Sequence, residues 1–265
     1  MDLALEGKTA VVTGASKGIG LAMAQALAAT GANVVAVSRT ITPELTELAA
    51  QPHVTHHAVD LGGARGPSEA VGRAVSVYGG VDILVNNVGV SLPRTGFLGL
   101  SDEDWDMSWR VNFLSAVRAC RAAIPLMIAA GGGSIINITS LNSRQPHPMV
   151  VDYSAVKAAL TNLTKALSEE FAVQKVRVNA IAPGFVRTPM WTDAGGFGDH
   201  VAKMTGAVDA NQVIETTAPE MLGISVGRFA DPEEICSLAL LLASDRSAMM
   251  TGSEYLVDGG ASKTL

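Results

Sequence analysis

Cysteine and basic residues are scarce in this sequence, and both shortages exclude classes of protein. The two cysteines, Cys120 and Cys236, lie in apolar, helix-like segments, which predicts buried, reduced thiols. No cluster of Cys and His has the spacing of a zinc site, so no metal is expected. Lys and Arg number 19 against 25 Asp and Glu, a net charge of -6. The basic stripe of a nucleic-acid-binding protein is therefore not expected.

Signals for secretion or membrane insertion are also missing. Residues 1–8 lack the basic start and the long apolar stretch of a signal peptide, and no apolar run looks long enough to span a bilayer. Hydrophobic residues make up 48% and charged residues 17% of the chain, a composition typical of a globular protein with a large core. We therefore expect a cytoplasmic protein that binds neither nucleic acid nor membranes.

Apolar, β-rich runs alternate with helical periodicity along nearly the whole chain. Strands are expected at residues 9–13, 33–38, 54–59, 83–86, 134–138, 176–181 and 254–257. Helices are expected at residues 19–30, 43–50, 67–78, 102–130, 153–173 and 231–244, with a kink or break at Pro125. Continuous apolar strands are typical of a parallel sheet covered by helices on both faces. The pattern predicts one α/β domain over residues 1–265, a doubly wound Rossmann fold with a mostly parallel, seven-stranded sheet.

Residues 184–229 interrupt this alternation. A stretch of that length between a strand and a helix usually has a function, and residues 194–198 are rich in glycine. We expect a substrate-binding lid here, which orders when a ligand binds.

A glycine-rich loop follows the first predicted strand and leads into the first helix. Its glycines allow a sharp turn and bring backbone N–H groups close to a ligand, and the helix N-terminus favours a diphosphate. The strand before it and the helix after it are the context that a dinucleotide-binding motif requires. The loop residues expected to contact the cofactor are Gly14, Ser16, Lys17, Gly18, Ile19 and Gly20.

The end of the second predicted strand indicates which dinucleotide binds. An acid at this place accepts the ribose 2′-hydroxyl of NAD, whereas an arginine suits the 2′-phosphate of NADP. The chain has Ser38 and Arg39 here, with no carboxylate from residue 33 until Glu44, and Lys17 is a second candidate cation. An arginine can donate to a phosphate through two hydrogen bonds at once. We therefore expect NADP(H) to be preferred over NAD(H).

Further motifs occur in a fixed order along nearly the whole chain. They are the glycine loop from Thr13 to Gly20, Asp60-Leu61, Asn86-Asn87-Val88-Gly89, Asn112, Ser140, Tyr153 with Lys157, Pro183-Gly184-Phe185-Val186-Arg187-Thr188 and Val257-Asp258-Gly259-Gly260. This ordered set resembles the classical short-chain dehydrogenase/reductase family. A tyrosine and a lysine four residues apart would be weak evidence alone, but the whole set is specific. Val88 departs from the alanine that is usual at its position.

The resemblance implies roles for these residues. Cofactor contacts are implied for Asp60, Leu61, Asn87, Gly89, Tyr153, Lys157, Pro183, Gly184, Val186 and Thr188. Catalytic roles are implied for Asn112, Ser140, Tyr153 and Lys157. Tyr153 would exchange a proton with the substrate oxygen, which Ser140 would also hydrogen-bond. Asn112 would hold a water that connects Lys157 to solvent.

The spacing of Tyr153 and Lys157 adds an electrostatic prediction. Residues four apart share one face of a helix, and a phenol has a pKa of about 10. A nearby cation favours the phenolate, so Lys157 is expected to lower the pKa of Tyr153. The negative charge of Asp152 would oppose phenolate formation if its side chain pointed into the site. Adjacent helical residues face about 100° apart, so Asp152 need not point there.

Substrate choice is expected to lie in the loop before Tyr153 and in residues 184–229. The candidate lining residues are His147, Met149, Met190 and Trp191. The alternative for each is ordinary packing or a surface position. Arg94 and Arg144 either attract an anionic substrate or are solvated loop charges.

The predicted function is NADP(H)-dependent hydride transfer to a ketone or from a secondary alcohol, a small-molecule substrate. An alternative in the same class is a 3-oxoacyl-thioester reductase that acts on an acyl carrier protein. An alternative in a different class is a non-catalytic NADP(H)-binding sensor, against which the complete catalytic set argues. The resemblance also implies a homo-oligomer, either a tetramer or a dimer.

Overall fold

Seven strands form one sheet in the computed structural model, which describes residues 2–263. They are β1 (Thr9–Thr13), β2 (Asn33–Ser38), β3 (Val54–Ala58), β4 (Ile83–Asn86), β5 (Gly133–Ile138), β6 (Val176–Pro183) and β7 (Glu254–Val257). Their spatial order is β3-β2-β1-β4-β5-β6-β7 and every pairing is parallel. The predicted Rossmann-type sheet is confirmed. The order reverses between β1 and β4, where such sheets bind ligands at the carboxyl ends of their strands.

Helices cover both faces of the sheet. They are α1 (Gly18–Ala29), α2 (Pro43–Ala49), α3 (Gly66–Tyr78), α4 (Asp102–Trp109), α5 (Ser115–Ala129), α6 (Val151–Phe171), α7 (Pro189–Thr192), α8 (Phe197–Thr205), α9 (Ala210–Gln212), α10 (Ala218–Met221) and α11 (Pro232–Ala243). Most of the predicted boundaries agree to within two residues. The start of α11 is fixed by Asp231 as N-cap, Pro232 at its first position and a capping box with Glu234.

Two apolar cores lie on opposite faces of the sheet. Val12 packs in the first core, with α1 and α11, whereas its neighbour Val11 packs in the second, with α3 and α5. Successive side chains of a strand alternate between faces, so the continuous apolar runs seen in the sequence supply both cores. Cys236 lies in the first core and Cys120 in the second, and both are buried, free thiols, as predicted.

A π-helical turn at Arg110–Leu114 joins α4 and α5 into one continuous helix. This helix, Asp102–Ala129, is long and apolar enough to cross a membrane by length and composition, so the expectation that no stretch reaches that length is wrong. One such helix is weak evidence for a membrane span, because core helices can be equally long and apolar. Here Met127 is fully buried in the second core. Pro125 lies inside α5, which continues past it without the predicted break.

Residues 184–229 contain four short helices, α7 to α10, where the sequence predicted only a mixed, glycine-rich stretch. A third apolar cluster packs this segment and includes Phe185, Trp191 and Phe229. The ring centroids of Trp191 and Phe229 are 4.9 Å apart in an edge-to-face arrangement. The segment therefore packs around a small core, to which Leu141 and Ala261 also contribute, beside the carboxyl ends of the strands.

Candidate active site

The glycine-rich loop connects β1 to α1 in a conformation that requires glycine. Gly14 and Gly18 have φ angles of 70° and 57°, in the left-handed region that disfavours other residues. A Cβ atom at Gly20 would lie 2.2 Å from the carbonyl oxygen of Gly14. The loop can therefore turn this tightly only with glycine at these positions, and its backbone faces the cavity described next.

A cavity of about 610 Å³ lies at the carboxyl ends of the strands. All the residues expected to contact the cofactor line it: Gly14, Ser16, Lys17, Gly18, Ile19, Gly20, Ser38, Arg39, Asp60, Leu61, Asn87, Gly89, Tyr153, Lys157, Pro183, Gly184, Val186 and Thr188. Ser140 lines it too. The sequence motifs thus converge on one space, which runs from the end of β2 to Tyr153.

Two hydroxyl-bearing side chains, Ser140 and Tyr153, line this cavity together. Ser140 lies two residues beyond β5, and Tyr153 lies in the first turn of α6. Burial raises the pKa of Tyr153 to about 12, although the nearby Ser140 hydroxyl acts in the opposite direction. The phenol is therefore protonated at neutral pH, as a proton donor must be.

Lys157 is buried one helical turn from Tyr153. Its Nζ lies 5.5 Å from the centroid of the Tyr153 ring and donates a hydrogen bond of 2.7 Å to the Ile138 carbonyl. Burial lowers the pKa of Lys157 to about 8. The prediction that Lys157 brings the pKa of Tyr153 below its ordinary value is wrong for this structure, because burial of the phenol outweighs any such effect.

Asn112 lies in the π-helical turn and does not line the cavity itself. Its Oδ1 accepts from the Val90 N–H at 2.8 Å, and its Nδ2 donates to the carbonyl oxygens of Val90 and Ser108. A Cβ atom at Gly89 would lie 3.0 Å from Asn112 Oδ1 and 3.6 Å from Lys157 Nζ. Asn112 is thus close to Lys157. Its side-chain amide holds the loop after β4 through Val90 and also bonds to Ser108 on α4, while Oδ1 retains a second lone pair.

Asp152 does not face the cavity, and its charge is neutralised inside the protein. Its carboxylate is 2.7 Å from Arg94, whose side chain is only 11% exposed. Arg94 also pairs with Asp104 at 2.8 Å. The second loop arginine, Arg144, donates to Glu254 at 2.6 Å. Both arginines have carboxylate partners, so neither is a free cation for an anionic substrate.

The two cations expected at the 2′-phosphate differ in their surroundings. Arg39 is exposed and makes no ion pair within residues 2–263. Lys17 forms an exposed ion pair of 2.8 Å with Asp193, at the end of α7. The glycine-rich loop is thereby bridged to residues 184–229, a contact that the sequence did not indicate.

The substrate-lining candidates divide into two groups. Met190 and Trp191 line the cavity. His147 and Met149 do not: His147 is exposed, and its Nδ1 accepts a hydrogen bond from the Met149 N–H at 3.3 Å. Their loop forms a short 3-10 turn that uses His147 as its N-cap, and this turn keeps both side chains out of the cavity.

Sequence reasoning missed several lining residues and one buried carboxylate. The additional lining residues include Thr40, Val90, Met107, Val111, Thr139 and Pro189. The carboxylate belongs to Glu254 and contacts Thr139, next to Ser140. No sequence signal connects residues 115 positions apart.

Comparison with known proteins agrees with this geometry. A family model described as enoyl-(acyl carrier protein) reductase matches residues 14–262. The chain is 37% identical over 264 residues to oxidoreductase UcpA of Escherichia coli (strain K12), covering 97% of this chain and 95% of that protein. It is 39% identical over 266 residues to L-xylulose reductase of Mus musculus, covering 98% of each.

One similar solved structure is L-sorbose reductase from Gluconobacter frateurii complexed with NADPH and L-sorbose. The TM-score is 0.91 at 36% sequence identity, with 100% of each chain covered. These relatives are similar to this chain over nearly their whole length.

Proposed function

Because this chain belongs to the classical short-chain dehydrogenase/reductase family and is an oxidoreductase of alcohol and carbonyl groups, we propose that it reduces a ketone with NADPH. The observation that carries the proposal is that Ser140, Tyr153 and Lys157 line one cavity, with Lys157 Nζ 5.5 Å from the centroid of the Tyr153 ring. The names of its relatives favour a small polyhydroxylated ketone as the substrate.

The cavity suits a phosphate-bearing dinucleotide. Bare backbone at Gly14 and Gly18 faces it, and Arg39 lies at its far end with no carboxylate partner among the described residues. The loop backbone would hold the diphosphate and Arg39 the 2′-phosphate, while Lys157 would hydrogen-bond the nicotinamide ribose. When bound there, NADPH supplies the hydride.

The protein's own residues would supply the proton and hold the carbonyl oxygen. Ser140 would hydrogen-bond that oxygen, and Tyr153 would donate its proton to it. Charged Lys157 would stabilise the phenolate that remains, and Asn112 would support the water that returns the proton from solvent. This is general acid catalysis by a phenol whose pKa suits the protonated form.

Steady-state assays with NADPH test the function. The panel should contain ketoses, simple ketones and 3-oxoacyl thioesters, each followed at the NADPH absorbance band and each in both directions. We expect turnover with ketoses or simple ketones. Turnover confined to the thioesters would instead favour the alternative of a 3-oxoacyl-thioester reductase. NADPH binding without turnover of any substrate in the panel would favour the non-catalytic NADP(H)-binding sensor.

Activity should depend on pH through Lys157. The pKa of Lys157 is lowered to about 8, so its charge is present below that pH and lost above it. Since kcat/KM reports the ionisation of the free enzyme, kcat/KM for ketone reduction should be level below pH 8 and fall above it. A reduction rate that rises steadily between pH 8 and 10 would contradict this role.

Arg39→Ala should weaken NADPH binding selectively. Hydrogen bonds to charged groups contribute about 1.5–3 kcal/mol, which corresponds to roughly a 10- to 150-fold higher Kd for NADPH. The Kd for NADH should change less than about threefold, because NADH lacks the 2′-phosphate. Nucleotide fluorescence titration measures both constants, with the exposed Arg73→Ala as the matched control. An equal rise in the Kd for NADPH and for NADH would show that Arg39 does not bind the 2′-phosphate.

Two further features are proposed from the same structure. Residues 184–229 would act as a lid, since Met190 and Trp191 line the cavity and Asp193 contacts the glycine-rich loop. The chain would form a homodimer or homotetramer, for which the exposed Trp109 ring, in tilted contact with half-buried Phe113, offers an apolar surface. Light scattering after size exclusion would measure the mass in solution.

A further inference from the structure

Glu254, the first residue of β7, places a buried carboxylate behind the candidate active site. Its side chain is only 4% exposed. Oε1 accepts hydrogen bonds from the hydroxyls of Thr139 at 2.8 Å, Ser143 at 3.0 Å and Thr161 at 2.5 Å. Oε2 accepts from Arg144 Nε at 2.6 Å. Four donors thus converge on one carboxylate.

These donors belong to the elements that carry the proposed catalytic groups. Thr139 directly precedes Ser140, and Thr161 lies one helical turn beyond Lys157 on α6. Thr161 Oγ1 is also 3.2 Å from the Lys157 carbonyl oxygen. Lys157 itself connects α6 to β5 through the Ile138 carbonyl. Glu254 therefore adds a second connection between the same segment and helix, through Thr139, the residue directly after the end of β5.

The chemistry of the donors favours an ionised acceptor. Each hydroxyl has one proton and also has a backbone carbonyl within reach: that of Ile181 for Thr139, of Ser140 for Ser143 and of Lys157 for Thr161. The arginine has no lone pair to offer, and an ionised carboxylate only accepts, so it is the form of this side chain to which all four groups can donate. Burial acts to raise the pKa of Glu254, but the hydrogen bonds from Thr161, Arg144, Thr139 and Ser143 keep it below its usual value. A carboxylic acid carries a proton on one oxygen, and an amide has an NH2 group in place of one oxygen. In either form at least one of these donors would lose its acceptor.

We propose that Glu254 is a positioning residue for the reaction: its carboxylate holds the Ser140 strand end and the Lys157 helix at a fixed separation, so that Ser140 and Tyr153 meet the same substrate oxygen. This inference rests on the proposed function. Misplacement of reacting groups by about 1 Å can reduce a rate by 100-fold, so the position of Ser140 relative to α6 matters to kcat more than to binding.

Glu254→Gln tests the proposal because it keeps the side chain's shape and removes its charge. We expect kcat for ketone reduction to fall roughly 10- to 100-fold, while the Kd for NADPH, measured by fluorescence in the absence of substrate, stays within about twofold. Amide hydrogen exchange over residues 139–150 should become faster. Glu69→Gln is the matched control: it makes the same change at an exposed carboxylate that does not line the cavity, so kcat should be unchanged.

Thr161→Val provides a second variant, which tests the proposal even if Glu254→Gln does not fold, and it should reproduce part of the kcat loss. If Glu254→Gln folds, the loss in the double variant should be less than the product of the two single losses. A lower midpoint of thermal unfolding with normal kcat in both single variants would overturn the proposal and leave Glu254 a stabilising residue only. Failure of the proposed function looks different: the unmodified protein would then reduce no ketone at all.

Discussion

Tyr153→Phe should lower kcat for ketone reduction by at least about 100-fold, the loss typical of removing a general acid. The variant keeps the ring and loses only the hydroxyl, the proposed proton donor. Because many other residues line the cofactor cavity, the Kd for NADPH should stay within about threefold. Stopped-flow or steady-state rates and a fluorescence titration measure the two quantities.

The matched control for this variant is Tyr78→Phe. Tyr78 is the last residue of α3 and does not line the cavity, so the same chemical change there should leave kcat unaltered. Near-normal turnover by Tyr153→Phe would remove the proton donor from the proposed mechanism. A large loss in both variants would point to a general effect on folding.

Arg94→Met should destabilise the protein by about 3–5 kcal/mol, since removing one partner of a buried ion pair leaves an uncompensated charge. The charge left behind is that of Asp152, whose side chain is 4% exposed. For a chain of this size the thermal midpoint should fall by roughly 6–20 °C, at 2–4 °C for each kcal/mol. Thermal denaturation followed by circular dichroism measures the shift.

Two further variants separate the buried charge from other effects. Arg94→Met with Asp152→Asn removes both charges and should recover much of the lost stability. Arg65→Met breaks the exposed pair of Arg65 and Glu69 and should cost less than about 1 kcal/mol. If Arg94→Met and Arg65→Met lowered the midpoint equally, the burial of the Arg94 pair would have no energetic consequence.

The sequence predicted those parts of the site that depend on local geometry. Gly14 and Gly18 are required by positive φ angles, and the four-residue spacing of Tyr153 and Lys157 places both on one face of α6. Such features follow from residue type and spacing alone. The continuous apolar strands likewise indicated a sheet buried on both faces, since such runs are typical of a parallel sheet covered by helices.

The sequence could not predict features that arise from contacts between distant segments. Lys17 and Asp193 are 176 residues apart, so the local sequence around either residue does not indicate their ion pair. The direction of the Tyr153 pKa shift was also missed, since burial of the phenol depends on how several elements enclose it. His147 lies close to Tyr153 in sequence, but the turn that it caps carries it to the surface.

The reactivity of the two buried thiols reports local opening of the fold. Cys120 and Cys236 belong to cores on opposite faces of the sheet, and burial raises the pKa of each to about 12. Because only the thiolate reacts, an alkylating reagent can modify either one appreciably only when its face of the sheet separates from the covering helices. The relative labelling of the two positions therefore reports which layer of the domain loosens first, without any engineered probe.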